Sequence, residues 1–288
     1  MGKTFHSAKE FRVSLQQRLK NIAVNEGTDV QQIMKKVAFD RFLARLFGDE
    51  NSSWYLKGGY ALELYLTEGR ATRDIDLTLN EKSMKGLVKD AKLAVLRDFF
   101  FKALKFKVDD YFEFLPSSEG MSLENTPYGG ERYDVESRIA GKRFVSFHVD
   151  ISINEVRREP LYEVLEGGDW LGFLGILPGQ FKTMIPEEIF AEKIHAYTLP
   201  RDGENSRVRD LLDMYLLLTN KRIDHEKLMD CIGNVFNRRD SHLMPSDLPS
   251  PPNSWNDRFP ALVEEHNIVV SLEDAFSLVQ SFLRKKNK

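Results

Sequence analysis

Two aspartates, Asp74 and Asp76, lie two residues apart in the alternating run Asp74-Ile75-Asp76-Leu77-Thr78-Leu79. On a β-strand that spacing aims both carboxylates at one face, while Ile75 and Leu77 enter the core. Like charges so close repel unless a cation lies between them. A hard divalent ion held by carboxylate oxygens answers the repulsion. Mg2+ is the usual one where a nucleoside triphosphate completes the shell, with Mn2+ as the alternative. Without a ligand, the same pair is a solvated strand edge. A second run, Phe147-His148-Val149-Asp150-Ile151-Ser152, repeats the alternation and turns His148, Asp150 and Ser152 outward. If it lies beside the first run, Asp150 becomes a third carboxylate on that face. Three carboxylates can hold two metals, one placing a triphosphate and one activating a hydroxyl. His148 has no cysteine and no second histidine at ligand spacing, so it reads as a neighbour and not as a zinc ligand.

Other residues fit the same chemistry. Lys57-Gly58-Gly59 stands at a strand-to-helix junction. Glycines there let backbone approach a ligand, and the N–H groups that open a helix favour an anion. Lys57 has the reach to touch a nucleotide, and Thr72 and Arg73 flank Asp74 where phosphate or acceptor contacts are expected. Further on, Lys193 is a long-armed cation on a helix, with Glu188 and Glu192 as its alternative surface partners. Asp210 and Asp213 share one helix face, with Arg207 three residues before Asp210 and Arg209 four before Asp213. Leu211, Leu212, Leu216 and Leu217 go inward, so the charged face either forms a self-neutralising ladder or looks into a cleft. Tyr60 and Phe147 are aromatic candidates for contact with a base.

The elements that must hold these residues follow from periodicity. Two helices are expected over 8–47, broken at Glu26-Gly27-Thr28-Asp29. A short strand at Trp54-Tyr55-Leu56 precedes a helix opening at Gly58, then a loop over 69–73 and the Asp74–Leu79 strand. One helix is expected from about Lys82 to Lys105. Strands follow at Tyr111–Leu115, Glu131–Ile139 and Arg143–Ile153, the last two as a hairpin, with another at Phe181–Ile185. From Pro186, a first-turn proline backed by Glu187 and Glu188, the chain turns helical: near 186–198, 207–219, 224–236, 256–265 and 271–286. The boundary is expected near 180, dividing a mixed α/β domain (1–180, amino-terminal helices included) from a helical domain (181–288).

Composition narrows the class. The 288 residues carry 41 Lys+Arg and 44 Asp+Glu, and no apolar run approaches the ~18 residues that cross a bilayer. No membrane association is therefore expected. The single Cys231 excludes an internal disulfide framework and a cysteine-built zinc cluster. Met1–His6 lead into charged helical sequence without a signal-peptide core, so a cytoplasmic location is expected. Residues 1–46 carry nine basic against four acidic side chains, and the chain ends Arg284-Lys285-Lys286-Asn287-Lys288. Both ends suit a polyanion, or are simply solvated surface.

Gly58-Gly59, fourteen residues, Asp74-Ile75-Asp76 and a later Asp150 together resemble the signature of the polymerase-β-like nucleotidyltransferases. Ile189-Phe190-Ala191-Glu192-Lys193-Ile194-His195-Ala196 and Arg207-Val208-Arg209-Asp210-Leu211-Leu212-Asp213 are similar to two downstream motifs of the AbiEii/AbiGii (MenT-like) toxins. The resemblance spans about residues 54–219. Two positions depart from it: Tyr60 stands where a small hydroxyl residue is common, and Arg209 where lysine is frequent. It implies an α+β fold, a mixed-sheet nucleotidyltransferase half followed by an all-helical half that contributes to the active-site cleft. It also implies NMP transfer from an NTP to an RNA, the tRNA 3′ end in particular, by the toxin of a type IV-like toxin–antitoxin pair with a cognate antitoxin.

On that resemblance the catalytic residues are Asp74, Asp76, Asp150, Lys193 and Asp210. The same three strand aspartates hold Mg2+ or Mn2+. Lys57, Gly58, Gly59, Thr72, Arg73 and Lys193 bind nucleotide, Asp213 holds the arginines, and Thr72 is a position for regulatory modification. Two other readings stay open at this point. One is NMP transfer to a protein or small molecule, and the other is a nucleotide- or RNA-binding module without catalysis.

Overall fold

A computed structural model describes residues 5–66, 72–124, 126–154, 160–221 and 223–284. Nine α-helices and eight strands are formed among them. In chain order these are α1 (Ala8–Glu26), α2 (Val30–Leu46), β1 (Trp54–Lys57), α3 (Gly58–Tyr65) and β2 (Asp74–Leu79). Then come α4 (Lys89–Ala103), β3 (Phe112–Pro116), β4 (Met121–Ser122), β5 (Gly130–Ile139) and β6 (Lys142–Ile153). The last are β7 (Tyr162–Glu166), β8 (Gln180–Met184), α5 (Pro186–Thr198), α6 (Val208–Asn220), α7 (His225–Arg239), α8 (Trp255–Glu265) and α9 (Leu272–Leu283). No helix among the described residues is long and apolar enough to cross a membrane.

The chain forms two compact units, one of residues 1–60 and 72–183, the other of 61–71 and 184–288. The first is built on a mixed sheet ordered β3-β5-β6-β2-β1-β8-β7, with β4 pairing β5. β1 is antiparallel to β2 and parallel to β8, β2 is parallel to β6, and β5 is antiparallel to β6 and to β3. Period-two alternation decides the faces. Ile75, Leu77, Tyr133, Val135, Val149 and Ile151 are all at most 1% exposed. They share a core with Phe39, Phe42 and Phe100, whose rings meet Phe147, Phe114 and Tyr133. That is an α+β architecture with helices on one face of the sheet, which leaves Asp74, Asp76, Arg132, Asp134, His148 and Asp150 on the other.

Side-chain capping sets four of the nine described helix starts. Ser7, Asp29, Asp224 and Ser271 accept a backbone N–H from the first turn of α1, α2, α7 and α9, and Gly27 ends α1 in the left-handed conformation. Pro186 opens α5 as expected. The single helix expected from Lys82 to Lys105 is instead a 3-10 turn, Lys82–Met84, followed by α4. The break falls at Gly86, whose φ of +79° no helix interior accepts. Strands β4 and β7, mostly exposed, carried no alternation by which to anticipate them. Most of the loop at 69–73 lies outside the described residues, which resume at Thr72.

The basic surplus of residues 1–46 is partly internal. Arg41 and Arg45 are 3% and 6% exposed and both bond the fully buried Asp110. Arg12 donates to the carbonyls of Ile139 and Arg143, and the Arg18 guanidinium lies over the Phe173 ring.

Candidate active site

Strand register builds the carboxylate face of the sheet unit. Lys57 at the end of β1 stands opposite Asp76, Asp76 opposite Asp150, and Asp150 opposite Arg132 of β5. Cross-strand partners share a face, so Lys57, Asp76, Asp150 and Arg132 form one row across four strands. Asp74 lies in the next row of that face, opposite His148, which in turn faces Asp134. The parallel β2–β6 pairing therefore brings the three expected aspartates onto adjacent strands.

The junction beside them depends on glycine. β1 ends at Lys57 and α3 begins at Gly58 with no intervening loop. Gly58 has φ +67°, and a Cβ there would lie 2.0 Å from Asp76 Oδ2. Only glycine allows the Asp76 carboxylate to come so close to the start of α3. Gly59 is buried in the first turn.

Around this face, Lys57 Nζ donates to Ser152 Oγ at 2.8 Å. Thr72 Oγ1 donates to the Asp74 carbonyl at 3.4 Å, and Arg73 is exposed. His148 Nδ1 meets Asp134 Oδ1, which leaves its place as a neighbour unchanged.

Arg132 is the residue that sequence reasoning missed. Its Nε and Nη2 donate to the two oxygens of Asp150 at 2.6 and 2.7 Å. The bond to Asp150, followed by the fields of Asp150, Asp74 and Asp76, holds the guanidinium even more firmly protonated than usual, against the pull of burial. The pairing hides in a bulge. At the hairpin turn Ile139 faces Lys142 and Arg138 faces Arg143, but beyond Ser137 the register moves by one, so that Ser137 faces Val145. Phe144 is the extra residue. Counted straight back from the turn, Arg132 would have met Val149; the bulge swings it onto Asp150.

The donor chemistry suits a hard divalent cation: carboxylate oxygens, beside a position where a Cβ would intrude on Asp76 Oδ2. The side chains do not converge as a finished set. Among the described residues no three Asp, Glu, His or Cys groups close on one point. Both oxygens of Asp150 are engaged by Arg132.

The second unit carries the other expected residues. Lys193 on α5 is 8% exposed and donates to Asp213 Oδ2 at 2.6 Å and Asp210 Oδ1 at 3.2 Å. Asp213 is fully buried on α6, and Arg207 Nη1 lies 3.8 Å from Asp210. Three expectations change here. Asp213 holds the lysine and not the arginines, because it shares the buried face of α6 with Leu216 and Leu217. Lys193 is no surface lysine pairing with Glu192; that glutamate takes Arg238 and Arg239 of α7. In the sheet unit Tyr60 and Phe147, 2% and 3% exposed, pack their rings against Phe39 and so belong to the core.

The fold is similar to that of solved structures. MenT4, a nucleotidyltransferase toxin (Rv2826c) from Mycobacterium tuberculosis H37Rv, matches with a TM-score of 0.54 and 14% identity over 92% of this chain and 99% of that one. JHP933 from Helicobacter pylori matches with a TM-score of 0.46 and 16% identity over 87% of this chain and 90% of that one. No curated protein sequence matches this chain significantly. The class is that of α+β nucleotidyltransferases. More narrowly, residues 41–276 match the model of the nucleotidyl transferase AbiEii toxin of type IV toxin–antitoxin systems, and the chain belongs to that family.

Proposed function

We propose that this nucleotidyltransferase toxin moves an NMP from an NTP onto an RNA hydroxyl, with the tRNA 3′ end as the acceptor to test first. The observation that carries the reading is the register that sets Asp76 against Asp150 beside the glycine start of α3. Asp74, Asp76 and Asp150 are the residues that would hold Mg2+ or Mn2+. Such an ion, when bound, supplies charge neutralisation at the α-phosphate and a lowered pKa for the attacking hydroxyl.

The chain's own residues do the rest. Backbone N–H groups of Gly58 and Gly59 at the head of α3 receive phosphate oxygens, with Lys57 beside them. Lys193 binds the triphosphate as a point charge, and Asp210 orients its ammonium. Thr72 and Arg73 attend the nucleotide from the approach to β2. This is catalysis by positioning and by charges fixed in advance. The type IV family adds a cognate antitoxin as partner. The cytoplasm, where NTP and tRNA meet, is the location that fits.

Incubation of the full chain with each labelled NTP, Mg2+ and a tRNA pool tests this reading. Label is expected on RNA, and transfer is expected to be lost in Asp74→Asn and Asp76→Asn variants that keep the native melting curve. Undiminished transfer by those variants rejects the assignment of the carboxylates. Label on protein alone replaces the RNA acceptor, and NTP binding without turnover replaces catalysis.

A further inference from the structure

Arg132 has no part in the chemistry described so far, yet it makes a two-bond contact with one of the three aspartates. Asp76 and Asp150 are direct cross-strand neighbours, an arrangement that like charges destabilise. Arg132 is the next residue of the same row, and its fork takes both oxygens of Asp150. A planar guanidinium matched to a carboxylate is the strongest pairing available at such a place, and it leaves neither oxygen of Asp150 free of a charged partner. The Arg132 side chain keeps 37% of its surface exposed against 18% for Asp150, so the arginine has solvent into which it can withdraw.

We infer that Arg132 is the resident counter-ion of this face: it holds Asp150 in the metal-free protein and must release it for the third carboxylate to reach a divalent cation. The inference rests on the assignment of Asp74, Asp76 and Asp150 as the cation-holding set. Arg132 is on this account a positioning residue, which acts on the site through Asp150. Affinity for the cation is set by competition between two positive partners for one carboxylate. The bulge at Phe144 is what places the competitor, since an unbulged hairpin would bring Val149 opposite Arg132.

Mn2+ titration of the full chain, followed by the EPR signal of the free ion, tests this without reference to turnover. Arg132→Gln is expected to tighten Mn2+ binding by about tenfold, the scale of one lost charge-assisted pair. Arg132→Lys, which keeps the charge but not the fork, is expected to show a smaller gain in the same direction, and it serves if the glutamine variant fails to fold. In an Asp150→Asn background the Arg132→Gln change is expected to lose its effect, since the contested oxygens are gone. Mn2+ affinity unchanged or weakened in both arginine variants overturns the inference. Mn2+ affinity unchanged in Asp76→Asn overturns the cation assignment itself, whatever the arginine variants show.

Discussion

At Gly58 a single methyl group meets two obstacles at once. The φ of +67° is strained for any side chain, and the methyl carbon would sit 2.0 Å from Asp76 Oδ2. Gly58→Ala is therefore expected to push Asp76 out of its row. NMP transfer should fall by on the order of 10²-fold, the usual consequence of ångström-scale misplacement, with a stability loss of about 1–3 kcal/mol. Transfer assays beside urea melts check both. Lys193 poses a different test, because its partner Asp213 is fully buried. Lys193→Met removes the cation bonded to that buried carboxylate and is expected to cost about 3–5 kcal/mol. Adding Asp213→Asn should restore much of the stability but none of the transfer, which separates packing from nucleotide binding. The sequence showed the aspartates of β2 and β6 because alternation exposes them, and it showed Lys193 through its motif. It did not show Lys193 with Asp213, since an i, i+4 arginine on the same helix looked like the nearer partner, and only the packing of α5 on α6 decides between them.

Among the elements, the helices and inner strands were legible because their apolar spacing and caps are local. Register was not, because it depends on one residue inserted at Phe144. The α4 region failed for a related reason: apolar positions continue past Gly86, but the backbone there does not. The position of α2 rests on a feature the charge count had assigned to the surface. Arg41 and Arg45 converge on Asp110, just ahead of β3, with bonds of 2.7–3.0 Å, and Arg45 also donates to the Phe112 carbonyl. Removal of the carboxylate takes the buried Arg45 guanidinium's acidic partner and leaves Arg41 with Asp40. Asp110→Ala is expected to lower the unfolding free energy by about 3–5 kcal/mol in urea titration. Lys20→Ala, on the exposed face of α1, should stay within about 0.5 kcal/mol of the native chain.

Over the whole molecule, each of the two units holds a buried group whose titration pulls against the other's. In the sheet unit burial pushes the Asp40 carboxyl up to about 7 against the pull of Arg41, and its Oδ2 lacks a hydrogen-bond partner. Between the ordinary aspartate range and pH 7 the folded chain keeps a proton that the unfolded chain has released. This group therefore stabilises fully below about 3.8, and its contribution is lost as pH rises through 7. In the helical unit His195 is lowered to about 4, first by burial and then by Arg239 and His242, with Glu192 opposing. Here the unfolded chain binds the extra proton between pH 4 and 6.5, so stability is lost as pH falls across that window. Calorimetric melts at pH 5 and pH 8 should resolve the two slopes. Asp40→Asn is expected to gain on the native chain by on the order of 1 kcal/mol at pH 8 and by little at pH 5. His195→Gln, which can still bond Ser241, is expected to gain at pH 5 relative to pH 8. The two groups share no partner, so the double variant should show both changes in sum and the flattest pH profile of the set.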